Sequence, residues 1–172
     1  WMVSTLLTVR LAETVGFRTE QGVDLWLAGA ARATGKPLWA LETVDRQIEA
    51  LSGGGDAAQL AGLTEVVELI ESGEARVYFR SMLDAWRAGD VRALDHLLRE
   101  ALATEAMVPL FVEMLDRRNR EMADTLVRRL DSGDRPFVAV GAGHFGGPAG
   151  LLAELAGRGY QLKQVEPAPG SE

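Results

Sequence analysis

The sequence predicts an α/β protein: helix-rich, with a small, mostly parallel sheet, a C-terminal strand-loop-helix-strand unit and a helical cap. Three observations lead there. The apolar run Phe137-Val138-Ala139-Val140 contains β-branched residues and runs straight into a glycine-rich turn, the pattern of a buried strand. Pro148 and the apolar Leu151, Leu152 and Leu155 then open a helix, and residues 160–165 read as a strand behind it, so residues 136–165 should form a right-handed parallel crossover. The rest of the chain shows helical apolar spacing broken at glycines.

In chain order, residues 2–15 are apolar and helix-compatible and end at Gly16. Residues 20–33 read as a second helix, with Val23, Trp26, Leu27 and Ala30 on one face and Gly35 stopping it. Residues 36–41 are a short strand candidate that places Glu42 at a strand end. Thr43 caps the next helix, which carries Arg46, Gln47, Ile48 and Leu51. Residues 52–56 are a glycine-rich connector. A helix over 57–72 turns Leu60, Leu63, Val67 and Ile70 inward and ends at Gly73; another covers 75–88, with Val77, Met82, Leu83 and Trp86. Asp90 can cap residues 91–103. Residues 106–131 form the longest helix, with Pro109 tolerated in its first turn. The strand at 136–140, a helix over 148–157 and the strand at 160–165 close the fold, and residues 166–172 are a loose Pro/Gly-rich tail. With no internal repeat, residues 1–172 read as a single domain.

Composition narrows the function. A chain of 172 residues with 47% hydrophobic and 25% charged residues has the balance of a soluble globular protein. A net charge of -7 offers no basic stripe for nucleic acid. The absence of cysteine removes disulfides, thiolate metal sites and a cysteine nucleophile together, and leaves the compartment open. The apolar stretches fall short of a membrane span. The chain opens on Trp1 rather than an initiator Met, which implies that residues are missing before it.

Only two histidines are present, and His144 lies in the turn Gly141-Ala142-Gly143-His144, at the carboxyl end of an expected strand. Ligands bind at such junctions in open α/β sheets. The bland alternative is a loop histidine that caps the next helix or faces water. Glu42 occupies an equivalent strand end and can reach the same cleft, or can simply favour the N-terminus of the following helix. Asn119 falls on the apolar stripe Val108, Phe111, Val112, Leu115, Met122, Leu126, Leu130, where a buried amide needs partners. It either points into a polar cleft or bonds a backbone carbonyl in the core. Arg117 and Arg118 precede it; one of them can hold a carboxylate bidentately, although surface solvation is the default. His96 reads as a helix-flank residue, and Trp26, Trp39 and Trp86 as core or interface anchors. One His and one Glu fall short of the three protein ligands of a catalytic zinc site.

Taken together, 137–147 (FVAVGAGHFGG), Gly150-Leu151-Leu152, Gly159-Tyr160, Gly22-Val23-Asp24, Gly35-Lys36-Pro37, Leu41-Glu42-Thr43 with Gln47, Trp86 with Gly89-Asp90, and Arg118-Asn119 resemble the TraB/GumN family, which includes the Tiki metalloproteases. The resemblance covers nearly the whole chain. It implies a divalent metal (manganese, cobalt or zinc) with His144 as metal ligand or acid-base group, and Glu42, Arg118 and Asn119 as catalytic residues lining the cleft and acting on a peptide or small-molecule substrate. It also implies an exported, periplasmic or envelope-associated protein. The family carries two Gly-x-x-His motifs, of which this chain shows the second. The chain therefore reads as the C-terminal part of a longer domain, expected to be inactive by itself. The competing expectation is a non-catalytic protein that binds a ligand or partner. A further one is a homo-oligomer paired through an open sheet edge.

Overall fold

The structure, a computed structural model, describes residues 1–100 and 104–165. It contains helices α1 (Met2–Thr14), α2 (Val23–Ala33), α3 (Val44–Ser52), α4 (Gly55–Ser72), α5 (Ala75–Arg87), α6 (Val91–Glu100), α7 (Val108–Phe111), a π-helical segment (Val112–Arg117), α8 (Arg118–Asp131) and α9 (Leu151–Gly157). Short 3-10 turns at Thr19–Gln21, Glu105–Met107 and Ala142–His144 complete the described elements. Residues 101–103, the end of the expected sixth helix, and the tail 166–172 lie outside the described residues.

The expected α/β architecture is corrected: among the described residues there is no strand and no sheet, and hence no parallel crossover. Residues 36–41, 136–140 and 160–165 form no ladder. The reason is physical. A helix satisfies its own backbone, whereas a strand exists only when a neighbour accepts its N–H and C=O groups. A strand-like alternation nevertheless appears in the burial. Pro136, Val138 and Val140 are half-buried, while Arg135, Phe137 and Ala139 are exposed. Val138 and Val140 cover a small core of Met122, Ala123, Leu126 and Leu151, together with Leu41, Phe145 and Leu155. The segment packs as a strand would, without pairing as one.

Helix boundaries follow local chemistry closely. The Thr43 hydroxyl accepts from the Arg46 N–H at 3.1 Å and opens α3. An Asp90 carboxylate oxygen accepts from the Ala93 N–H at 2.9 Å and opens α6. Beyond α2, Gly35 adopts φ +66°, and Lys36 N–H closes back on the Ala31 carbonyl at 2.9 Å. Two expectations about faces and length are corrected. In α4 the buried residue is Ala58, packed with Met107 and Leu110, while Leu60, Val67 and Ile70 are exposed. The expected long helix over 106–131 is interrupted by the π-helical segment, in which i→i+5 bonding widens the turn and rephases the face of α8.

Packing places one region at the centre. The π-helical segment contacts α3 on one side and the 142–144 turn on another; α6 backs that same turn, and α8 lies against α9. Three of the four candidate side chains come from these pieces, and the fourth, Glu42, lies just before the Thr43 cap of α3.

Candidate functional site

α8 begins at Arg118 and Asn119, directly after the π-helical segment, and both are buried. Such π segments recur at functional sites because they redirect side chains that a regular helix would place elsewhere. Arg118 holds Glu42 with both arms of its fork: Nε donates to Oε2 at 2.8 Å and Nη2 to Oε1 at 2.5 Å. Its Nη1 donates to the Met114 carbonyl at 2.8 Å. The guanidinium is thereby committed to a fixed orientation. The hydrogen bond from Arg118 holds the Glu42 carboxyl below its ordinary range, against burial, which pushes it up. Of the two neighbouring arginines, Arg118 turns inward, while Arg117 stays at the surface on Glu113 at 2.6 Å.

Asn119 is 1% exposed. Its Nδ2 donates to the Ala149 carbonyl at 2.9 Å, and its Oδ1 lies 2.7 Å from His144 Nδ1. A carbonyl can only accept, so Ala149 fixes which end of the amide is nitrogen. Oδ1 then faces the imidazole and can only accept, so His144 Nδ1 carries the proton. Nε2 is left as the lone-pair nitrogen, with no hydrogen-bond partner among the described residues, and it is not among the buried unpartnered atoms. Burial, reinforced by the positive charge of Arg118 and opposed by Glu42, lowers the His144 pKa to about 4, so the ring is neutral at ordinary pH.

The glycines of the histidine turn are steric requirements. A Cβ on Gly146 would stand 2.6 Å from Asp95 Cβ and 2.9 Å from the Val91 carbonyl oxygen. On Gly150 it would stand 2.2 Å from the Gly146 carbonyl oxygen and 2.4 Å from that of Phe145. The turn is thus pressed against α6, where Asp95 pairs with Arg99 at 2.9 Å. Below it, Arg46 of α3 reaches Glu121 of α8 at 2.7 Å, tying the segment after Glu42 to the helix that carries Arg118 and Asn119.

The structure therefore gathers all four sequence-predicted residues, Glu42, Arg118, Asn119 and His144. It brings them together through an Arg–Glu pair and an Asn–His pair on consecutive residues of one helix. Sequence reasoning missed the Met114 and Ala149 carbonyls, which carry no side-chain signal. It also missed Arg46 and Asp95, whose surface-like spacing resembles that of any charged helix face. Trp86 and Trp26, expected as core or interface anchors, are exposed, and Trp39 stacks beneath the Arg129 guanidinium at 3.9 Å. No described helix is long and apolar enough to cross a membrane.

These features define a class: a helical protein with a half-buried Glu–Arg pair and a buried Asn–His pair assembled on a π-interrupted helix. The model of the TraB/PrgY/gumN family matches residues 1–164, and the chain belongs to that family. No curated protein and no solved structure matches it.

Proposed function

We propose that this site is the histidine-bearing part of a metal-dependent hydrolase centre of peptidase type. His144 is its imidazole ligand, and Glu42, Arg118 and Asn119 line the same site. The observation that carries the reading is the fixed tautomer of His144. A neutral ring held through Nδ1–H by a second group, with Nε2 open, is the arrangement in which metal-ligating histidines are kept. A conjugate acid near pH 4 makes the ring a weak proton acceptor at neutral pH, which favours a ligand role over a general-base role.

The donor set is short. Among the described residues, no group of three His, Asp or Glu side chains converges, and both Glu42 oxygens are engaged by Arg118. A catalytic zinc site takes three protein ligands, so these side chains do not by themselves complete a centre. What the chain's own residues do is hold: Asn119 orients the ring, and Arg118 fixes Glu42 close enough for the two charges to be felt at His144. The bound species proposed is manganese, cobalt or zinc, the substrate a peptide or small molecule, and the compartment the periplasm or cell envelope. All three rest on the family resemblance alone.

The test is calorimetric titration of the protein and its His144→Ala variant with Mn2+, Co2+ and Zn2+, paired with a mass-spectrometric screen for peptide cleavage. Binding by the wild type that disappears in the variant supports the reading. One observation favours a second reading, a non-catalytic ligand-binding protein. The bidentate Arg118–Glu42 pair is the geometry in which an incoming ligand carboxylate can take the place of Glu42. Binding of acetate or a short peptide carboxylate by the wild type, without metal uptake and lost in Arg118→Met, would favour that alternative.

A further inference from the structure

The glycines of the histidine turn lie against one face of α6. A Cβ on Gly143 would stand 2.7 Å from Leu98 Cδ1, and one on Gly147 would stand 2.9 Å from both Asp95 Oδ1 and Arg99 Nη2. With the Gly146 contacts to Val91 and Asp95, the touching residues recur on α6 at i, i+4, i+7 and i+8 and share one helical face. The bare backbone of the turn therefore rests in part on the Asp95–Arg99 ion pair.

Arg99 reaches past that pair. Its Nε donates to Asp95 Oδ1 at 2.9 Å, and its Nη2 stands 3.6 Å from Asp116 Oδ1. Asp116 belongs to the π-helical segment, two residues before Arg118 and three before Asn119. One guanidinium thus spans two carboxylates. One sits on the helix that backs the His144 turn, and the other on the segment that aims Asn119. Asp116 Oδ1 is buried and accepts no hydrogen bond among the described residues, so the Arg99 cation offsets its charge. All three side chains are partly buried, where solvent screens charge less than at an open surface. Without the cation, Asp95 and Asp116 would be like charges at the joint between turn and π segment. Their repulsion would push apart the pieces that carry His144 and Asn119.

We infer that Arg99 is a positioning residue. By joining Asp95 to Asp116 it sets the His144 turn against the π-helical segment, and through that joint it sets the His144–Asn119 contact. The inference deepens the hydrolase reading and rests on it for what the site is used for, while the geometry itself involves no metal.

The experiment follows the His144 Nδ1 proton by nitrogen-15 NMR of the metal-free full chain and reads its exchange rate with water. The variants are Arg99→Met, Asp116→Asn, the two combined, Arg99→Lys and Arg158→Met, each first shown to be folded by circular dichroism. Arg158→Met is the control. Arg158 also holds two carboxylates, Asp124 at 2.6 Å and Glu154 at 2.5 Å, but its ion pairs reach neither the turn nor the π-helical segment.

Arg99→Met should speed the exchange by roughly tenfold or more, the size of coupling expected between groups in one network. Adding Asp116→Asn to it should slow the exchange again, because the like-charge contact is gone. Arg99→Lys should recover most of the slow exchange, since it returns a cation to the joint, and Arg158→Met should leave the rate unchanged. Unchanged exchange in Arg99→Met, further acceleration in the combined variant, no recovery with lysine, or an equal effect in Arg158→Met would each overturn the inference. If Arg99→Met does not fold, the isosteric Asp116→Asn decides alone: faster exchange supports the joint, and an unchanged rate overturns it. A failure to bind metal would sink the hydrolase reading and leave these rates as they are, so the two failures are distinguishable.

Discussion

Asn119 Oδ1 stands 2.7 Å from His144 Nδ1 while the same amide donates 2.9 Å to the Ala149 carbonyl. This pair of contacts fixes the tautomer of the imidazole without any charge. Replacing the amide by a carboxylate of the same shape, Asn119→Asp, should reverse the electrostatics at Nδ1 and raise the His144 pKa from about 4 by more than one unit. Nitrogen-15 NMR titration reads this directly. In the wild type it should show a neutral ring protonated at Nδ1. A ring protonated at Nε2 would contradict the assignment.

The same residue makes stability depend on pH. The folded pKa of His144, about 4, lies below the unfolded value near 6.5, so the unfolded chain binds the extra proton first. Its contribution is fully present above pH 6.5 and is lost progressively as pH falls towards 4, by roughly 3 kcal/mol in all. Glu42, also lowered, acts in the same direction at more acid pH. Urea denaturation at several pH values should show the decline, and His144→Gln should remove the part between pH 6.5 and 4. A wild type with constant stability over that interval would refute the account.

Among the described residues, Arg118 is the only side chain seen holding Glu42. Arg118→Met keeps much of the apolar stem but leaves a half-buried carboxylate without its partner, at a cost of about 1–2 kcal/mol at neutral pH, less than for a fully buried charge. Glu42 should then titrate above its ordinary range. The variant's deficit should shrink as pH falls and the carboxyl takes up a proton. A deficit that stays the same from pH 7 to pH 4 would mean that packing, not charge, is what Arg118 supplies.

Two glycines of the C-terminal region should respond oppositely to alanine. At Gly150 the new methyl meets backbone oxygens at 2.2 and 2.4 Å, so the turn carrying His144 must open, with a loss of about 2 kcal/mol or more. At Gly157, the last residue of α9, nothing lies within 4 Å, and helix propensity should add about 0.5–1 kcal/mol. Thermal melts of the two variants distinguish them, and equal effects would show that the turn has slack.

The sequence by itself determined where most helices lie and several of their caps, and it singled out the candidate residues, but it did not show the π-helical break in the expected 106–131 helix. Thr43, Asp90 and Gly35 act through neighbours a few positions away, and a helix closes its hydrogen bonds within its own segment, so local spacing suffices. It also marked His144 through its glycines, and Asn119 through a polar group on an apolar stripe. It could not decide the sheet. Residues 136–140 have strand composition and even strand-like burial, yet pairing depends on whether another extended segment lies alongside, and that is a long-range fact. Tertiary structure also decided which of Arg117 and Arg118 turns inward, through the π-helical segment that rephases α8. It alone paired Glu42 with Arg118 and His144 with Asn119, because those contacts span 76 and 25 residues and rest on how separate helices pack.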